Sequence, residues 1–448
     1  ELFFRSKSNM EESLQQEALL RHLLLKRTST AEDEYTYTFL LGSRLFQSPD
    51  EILNKLCTAC HAMTSTIEPG FDAKQRLVMV LHDWVQHFPT DFKNKQTRAS
   101  LSEVVEQLQN QDENLSELCS QVMGSLSQHT VVQESYERQL SDSDLEHELQ
   151  KTVNYRKSRD AMISVLLAIR DATDVNEMAQ QMCIIEMEFL KHVGADEFLQ
   201  MFAADASQSK TNLGACVRWF NRLSRLVGTI ILMCRKRKHA RHVITMFARI
   251  ANRCFELSNF NSAMAILSGL SLGSVTRLKK TWNKLKLSEL HQLQNAFDPT
   301  NNFQQYRSIH SSRVKALHPM TSFDDDEGVM VPFLVLLVKD VYFLNHAIPT
   351  VQSDGTINFE KLRKLAEILR PLESWKKMSS SYPKKDELHS FLLHSPVLED
   401  SDLYLLSYKR EAPTNRFEKQ QLKTLKFAQE MKKRQETMAS KSLRRKTF

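Results

Sequence analysis

Apolar residues recur along this chain at intervals of three and four, the spacing of helices that bury one face. Val78, Leu81, Trp84, Val85 and Phe88 trace such a face, and Pro89 ends it. Met178, Met182, Ile185 and Phe189 trace a second. Leu213, Val217, Phe220, Leu223, Val227 and Ile230 trace a third, and Val243, Phe247, Ile250 and Cys254 a fourth. Asp174 with Glu177 three positions on has the form of a capping box ahead of the second. No such helix buries its stripe alone, so the pattern predicts helices packed on helices, an all-α fold. Earlier, Tyr35, Tyr37, Phe39, Leu40 and Phe46 form an apolar cluster within a helical region spanning 1–130. The segment 107–144 is polar with weak periodicity, and its Ser141-Asp142-Ser143-Asp144 run reads as a linker or helix start. Residues 329–347 are apolar on most sides, which predicts a central helix buried all round. Ser353-Asp354-Gly355 predicts a hairpin turn between Thr350-Val351 and Thr356-Ile357, and Asn358 suits the N-cap of a following helix. No internal repeat of fixed period is present.

Composition sharpens this picture. The chain has 448 residues with only 10 glycines and 11 prolines, few breakers for so long a sequence. Hydrophobic residues make up 41% and charged residues 25%, enough for a sizeable core. The longest apolar run, Val329 to Val338, is interrupted by Pro332 and falls short of the ~20 residues a membrane span needs. No signal peptide is visible, and a start on Glu1 reads as a fragment of a larger protein. Seven scattered cysteines suggest reduced thiols in the cytosol. The net charge of +6 is unevenly spread: Arg416 to Phe448 carries eleven Lys or Arg against three Asp or Glu, a local +8. A basic tail on a nearly neutral body does not read as a nucleic-acid-binding domain.

Two motifs carry chemistry only in outline. Cys57-Thr58-Ala59-Cys60-His61 matches the attachment pattern for c-type haem, but a reduced compartment favours two thiols on a buried helix. Asp324-Asp325-Asp326-Glu327-Gly328 resembles a calcium loop, yet Leu334 stands where the loop's glutamate belongs. There is no Gly-rich phosphate loop, no His-Glu-x-x-His and no Gly-x-Ser-x-Gly. Bond-making chemistry is therefore unsupported, and neither cofactor nor metal is implied.

A family resemblance supplies what the motifs do not. Glu177-Met178-Ala179-Gln180-Gln181-Met182-Cys183-Ile184-Ile185-Glu186 resembles the first signature helix of Ras-family guanine nucleotide exchange factors. Further blocks follow in the family's order. They are Asn212-Leu213 with Trp219-Phe220-Asn221, then Asn259-Phe260-Asn261, Val275 to Trp282, and Val331-Pro332-Phe333. The blocks at 277–282, 298–307 and 358–361 are most similar to very-KIND proteins and to small exchange factors with little beyond this domain. Tyr37 to Leu41 with Arg44, and Trp84 with Phe88 to Phe92, resemble the accompanying Ras exchanger motif. The resemblance implies an exchanger motif over 1–130, a linker over 131–160, a catalytic exchange domain over 161–412 and a basic tail over 413–448.

The same resemblance implies a mechanism. A Ras-like GTPase holds its nucleotide through a phosphate loop, magnesium and two switch segments. Release from picomolar affinity opposes about 16 kcal/mol, so an exchange factor must stabilise the emptied state through a large interface. The family uses a protruding helical hairpin, expected here over 284–315 with its bend at Asp298-Pro299. Leu290 and Leu293 are the implied wedge. The family often places an acid one turn beyond; this sequence has Gln294, Asn295, Ala296 and Phe297, leaving Asn295 to occlude the site by size alone. Met182, Ile185 and Trp282 are implied to line an apolar pocket for a switch aromatic, with Asn212 and Arg277 as polar contacts. Glu186 is either a switch contact or a buried structural acid, and Trp219 and Phe220 read as core. The implied partner is a small GTPase of Ras or Rap type, with membrane contact through the tail and no nucleic acid. Two functions remain open: an active exchange factor, or an exchange-fold scaffold that binds GTPases or signalling partners without catalysis.

Overall fold

The computed structural model describes residues 17–25, 30–64, 73–142, 175–201, 211–317 and 328–446, with backbone alone at 30–32, 133–142, 432–433 and 436–446. Asp174, Ser143-Asp144 and the acidic stretch 324–327 lie outside them. The fold is all-α, as the periodicity predicts. In chain order the first helices are α1 (Thr30–Ser43), α2 (Pro49–Thr64), α3 (Ala73–His87), α4 (Lys95–Gln111), α5 (Ser116–Asp142), α6 (Val175–Lys191) and α7 (Ala195–Gln200). Next come α8 (Asn212–Met233), α9 (Arg237–Glu256), α10 (Phe260–Leu270), α11 (Gly273–Thr276), α12 (Lys279–Trp282), α13 (Ser288–Ala296) and α14 (Thr300–Leu317). The last are α15 (Leu334–Ala347), α16 (Phe359–Leu369), α17 (Pro371–Lys377), α18 (Asp386–His394), α19 (Asp400–Arg410) and α20 (Arg416–Lys446). Among the described residues the only β pairing is two isolated bridges, Asn259 with Val331 and Val351 with Ile357.

The chain forms two compact units. The first gathers 1–143, 189–215 and 334–377; the second gathers 144–188, 216–333 and 378–448. The first unit thus draws on stretches from both sides of the boundary at 130.

In the first unit, the face traced by Val78, Leu81, Trp84 and Val85 is buried in α3, and Phe88 with it. Pro89 opens a single 3-10 turn whose Asp91 is the organising acid. Its carboxylate accepts from Arg44 at 2.5 Å and from the Trp84 indole at 2.7 Å, and the Arg44 guanidinium lies over Phe88. The residues of the exchanger-motif resemblance are therefore one buried polar knot inside an apolar shell, and a buried charge is stable only when paired in this way. In α2, Cys60 is buried and Cys57 half-buried, and burial pushes the Cys57 thiol up to about 11. No group of three His, Cys, Asp or Glu among the described residues is arranged to hold a metal.

The second unit is built on α9 and α10, whose stripes Val243, Phe247, Ile250, Cys254 and Phe260, Ala263, Ile266, Leu267 are buried. Asn259 caps α10 by accepting from Ser262 N at 3.0 Å. Gly269 marks a close approach of α10 to α8: a Cβ there would meet the Ser224 carbonyl oxygen at 2.5 Å and Val227 Cβ at 2.8 Å. Backbone cannot yield as a side-chain tip can, so Gly269→Ala is expected to cost about 1–3 kcal/mol, read as a lowered melting temperature of the full chain.

The segment 329–347 is not one helix buried on all sides. Residues 329–333 are not helical, and Phe260 N donates to Val331 O at 2.9 Å while Val331 N donates to Ser258 O at 3.0 Å. The helix α15 begins only at Leu334, and just one side of it is covered. Leu334, Leu336 and Val341 are buried, whereas Val335, Tyr342 and Phe343 are exposed. The turn after it is as predicted: Gly355 takes φ 84°, Gln352 N donates to Thr356 O, and Asn358 caps α16. Among the described residues no helix is long and apolar enough to cross a membrane.

Candidate functional site

Most of the residues that the resemblance marks turn inward. Met182 and Ile185 are 0% and 2% exposed on α6, so they do not line an open pocket. Both belong to the continuous apolar stripe of that helix, which packing requires to be covered. Glu186, one residue on, is equally buried. Its carboxylate accepts from Asn261 Nδ2 at 3.1 Å on both oxygens and from Ser262 Oγ at 2.8 Å. Glu186 is thus the buried structural acid of the two alternatives, tying α6 to the first turn of α10. Burial pushes its carboxyl up to about 7, against the lowering effect of hydrogen bonds from Ser262, Asn261 and Trp219.

That shift has a pH consequence. The folded chain holds a proton on Glu186 that the unfolded chain releases near the ordinary carboxylate value of 4.5. This term therefore favours the native state at low pH and weakens as pH rises from about 4.5 to about 7, after which the loss is complete. Its size is on the order of a few kcal/mol. Glu186→Gln, which cannot ionise, is expected to flatten that part of the stability–pH curve. Urea titrations of both proteins from pH 5 to pH 8 measure it; parallel curves would contradict it.

Asn212 is also buried, in the first unit. Its Nδ2 donates to His192 O at 2.6 Å and to Glu197 Oε1 at 3.0 Å, and Glu197 accepts in turn from Leu213 N at 2.8 Å. It fastens the start of α8 to α7, with both Nδ2 hydrogens taken within the chain.

Arg277 and Trp282 lie in the second unit. The Arg277 guanidinium donates to both Glu418 oxygens at 3.2 Å, to Ser407 Oγ at 3.0 Å and to Glu411 O at 2.9 Å, and it stacks over Tyr408. It is a clamp on the chain's C-terminal segment rather than a free polar contact. Trp282 donates its indole N–H to Val275 O at 3.0 Å and is half-buried, leaving part of its ring at the surface.

The expected hairpin over 284–315 bends where predicted, with α13 ending at Ala296 and α14 starting at Thr300. Asp298 Oδ1 accepts from Thr300 N at 2.8 Å, and Asn301, Asn302 and Phe303 are left-handed. It is not a free arm. Leu290 and Leu293 are 5% and 1% exposed, packed towards α9 and α10, so neither is presented as a wedge. The bend is pinned by an aromatic cluster in which Phe297 touches Phe255, Tyr306 and Phe333, and Tyr306 Oη accepts from Phe333 N at 2.9 Å. Of the three expected catalytic residues only Asn295 is exposed.

The apolar surface that α13 lacks is on α15. Val335, Lys339, Tyr342, Phe343 and His346 are all exposed and recur at four, three, one and three, one face of a helix. Phe343 is 57% exposed, and Tyr342 stacks on His346 at 4.1 Å between centroids. The opposite face of α15 is held from behind by α16, which packs on α1 and stacks Phe359 on Tyr35. Lys361 of α16, 2% exposed, donates its ammonium to Asn345 O at 2.9 Å and to Thr350 Oγ1 at 2.8 Å. A buried cation on the last carbonyls of a helix is a favourable place for positive charge, and here it fixes the C-terminal end of α15.

Comparison with known proteins settles the family. Residues 177–363 match the RasGEF domain. Ras-GEF domain-containing family member 1B of Xenopus tropicalis is 33% identical over 446 residues, 96% of this chain and 93% of the relative. The chain belongs to the Ras-GEF domain-containing family. Member 1C of Homo sapiens is 34% identical over 425 residues, 91% of this chain and 89% of the relative. As a Ras-GEF-type protein, this chain has small GTPases as its partner class, and α15 lies within the matched domain. Sequence reasoning missed this face because it read the helix's apolar character as burial. The signal that could have found it was Lys339, Tyr342 and His346 at helical spacing around Phe343, polar groups that a fully buried helix does not carry.

Proposed function

We propose that this protein promotes GDP release from a small GTPase of Ras or Rap type, and that α15 is the element that does so. The observation that carries the proposal is an apolar helical face left open on α15, whose other side is backed by α16. Large exposed aromatic residues are costly in water unless a partner covers them, and aromatic anchors dominate interface energetics. Tyr342 and Phe343 take the wedge role that the sequence placed on Leu290 and Leu293. Inserted beside the nucleotide site, they add contacts that exist only when the switch has moved. The emptied GTPase is thereby stabilised over the loaded one, a shift of populations rather than chemistry. Trp282 and Asn295, each with surface to present, remain candidates for further contact. Met182, Ile185, Glu186, Asn212 and Arg277 act through the shape they impose.

A second reading rests on one residue. One turn beyond Tyr342 stands His346, where the family's acid would fall if Tyr342 takes the wedge role. A histidine occludes the magnesium site by bulk without the carboxylate's repulsion of phosphate. A protein that binds GTPases and exchanges them weakly, as a scaffold, fits that substitution. Release of fluorescent GDP from a panel of Ras, Rap and Ral proteins tests both: acceleration on one member supports exchange, and stable binding without acceleration on any supports the scaffold.

A further inference from the structure

We propose that the second unit carries a membrane-binding face that recognises anionic lipid headgroups, assembled from four stretches distant in sequence. Arg410 Nε donates to Leu232 O at 2.7 Å, which sets the end of α19 against the end of α8. From that end run Arg235, Lys236, Arg237 and Lys238, four consecutive exposed cations. Lys280 N donates to Glu411 Oε2 at 3.1 Å, adding α12 with exposed Lys279 and Lys280. Arg277 holds Glu418 and so brings the first turn of α20 to the same place, with exposed Arg416 and Lys419.

The charges sort by direction. Glu411 and Glu418 point inward, Glu411 accepting from Lys280 N and Thr281 Oγ1 and Glu418 taken by Arg277, while Glu430 of α20 is exposed. Only Arg237, at 3.9 Å from Glu411, shares in that neutralisation. The cations point outward. Those at 235–238 begin α9 at the helix end where positive charge is disfavoured, so the helix itself does not account for them.

Exposed apolar side chains decide between a membrane and a nucleic acid. Phe417, 76% exposed, sits beside Arg416 in the first turn of α20. Phe427 and Met431 are also exposed, and at ~100° per residue the three fall within an arc of about 80°. Half-buried Leu422 and Leu425 occupy the other side of the helix. The phosphate backbone of a duplex has no use for aliphatic and phenyl groups standing in water, whereas a lipid interface takes apolar groups below its headgroups while lysines stay above. This face does not depend on exchange, and a chain without exchange activity would carry it equally.

Co-sedimentation of the full chain tests it, using phosphatidylcholine vesicles with and without phosphatidylserine. Pelleting is expected only with the serine lipid and should weaken as salt rises. Each cation near such a surface contributes about a five-fold factor, so Lys236→Ala with Lys238→Ala should lower the partition coefficient about thirty-fold. Phe417→Ser with Phe427→Ser should abolish the binding that survives at high salt. All four side chains are exposed, so both variants should melt as the parent does. Equal pelleting with both vesicles, or with neither, would overturn the proposal. So would tighter binding to a duplex oligonucleotide that ignores the phenylalanine pair.

Discussion

Replacing Tyr342 and Phe343 together by alanine is expected to lower the exchange rate constant kcat/KM about a hundred- to a thousand-fold while leaving the melting temperature nearly unchanged. Both rings stand at the surface of α15, so their loss removes little from the core of the first unit. Each, as a central aromatic anchor, would contribute on the order of 2 kcal/mol to the complex with the emptied GTPase. Two such anchors give the stated range when converted through the tenfold-per-1.4 kcal/mol relation. The companion substitution, Leu290→Ala with Leu293→Ala, should behave in the opposite way. Those leucines are buried, and each truncation is expected to cost about 2–5 kcal/mol of stability. Exchange by the fraction that stays folded should be close to the parent's. Stopped-flow release of labelled GDP, run beside thermal unfolding for both pairs, separates a wedge on α15 from one on α13. A double alanine at 342 and 343 that exchanges normally would leave α15 without the role given to it.

The second large effect concerns Arg277. Its side chain and that of Glu418 are 8% and 15% exposed, and the guanidinium also holds Ser407 Oγ and the Glu411 carbonyl. Arg277→Ala leaves the Glu411 carbonyl without that donor and leaves the Glu418 carboxylate with Thr414 N and Oγ1 alone, a loss of about 3 kcal/mol. Lysine should recover little, because one ammonium cannot reproduce two parallel bonds to a carboxylate and also lie over Tyr408. The expected result is a melting temperature lowered by several degrees in both variants, with protease cleavage appearing first between α19 and α20. Had Arg277 been a GTPase contact and nothing more, its removal would weaken exchange and leave unfolding alone.

These two residues show where the sequence was readable and where it was not. The helices α3, α6, α8 and α9 follow from local repeats, and the turn at Gly355 and the cap at Asn358 are local chemistry. All of them are in the structure where the pattern put them. Arg277 is different: its partners lie more than a hundred residues downstream, beyond the reach of any spacing argument. Its place in a block that resembles the exchange-factor family implies a contact with another protein, whereas the fold uses it within the chain. Glu186 is open to either reading in the sequence, and its partners Asn261 and Ser262, 75 and 76 residues away, decide for the structural one.

The helix α15 failed for another physical reason. Hydrophobicity reports that a face must be covered, not by whom. A face covered by the chain's own core and a face reserved for a partner have the same composition. From the sequence alone the tail is an isolated basic stretch. Its continuity with residues 235–238 depends on Arg410 and Glu411 drawing the four stretches together.

Exchange rests on differential binding, because a protein that engages empty and loaded GTPase equally cannot exchange nucleotide. The most direct test is therefore the affinity of this chain for one Ras or Rap protein, measured once free of nucleotide and once loaded with GDP. At least about a hundred-fold tighter binding to the nucleotide-free form is expected, with the advantage lost when Tyr342 and Phe343 are alanine. Equal affinity for the two forms, or an advantage that survives those substitutions, would contradict it.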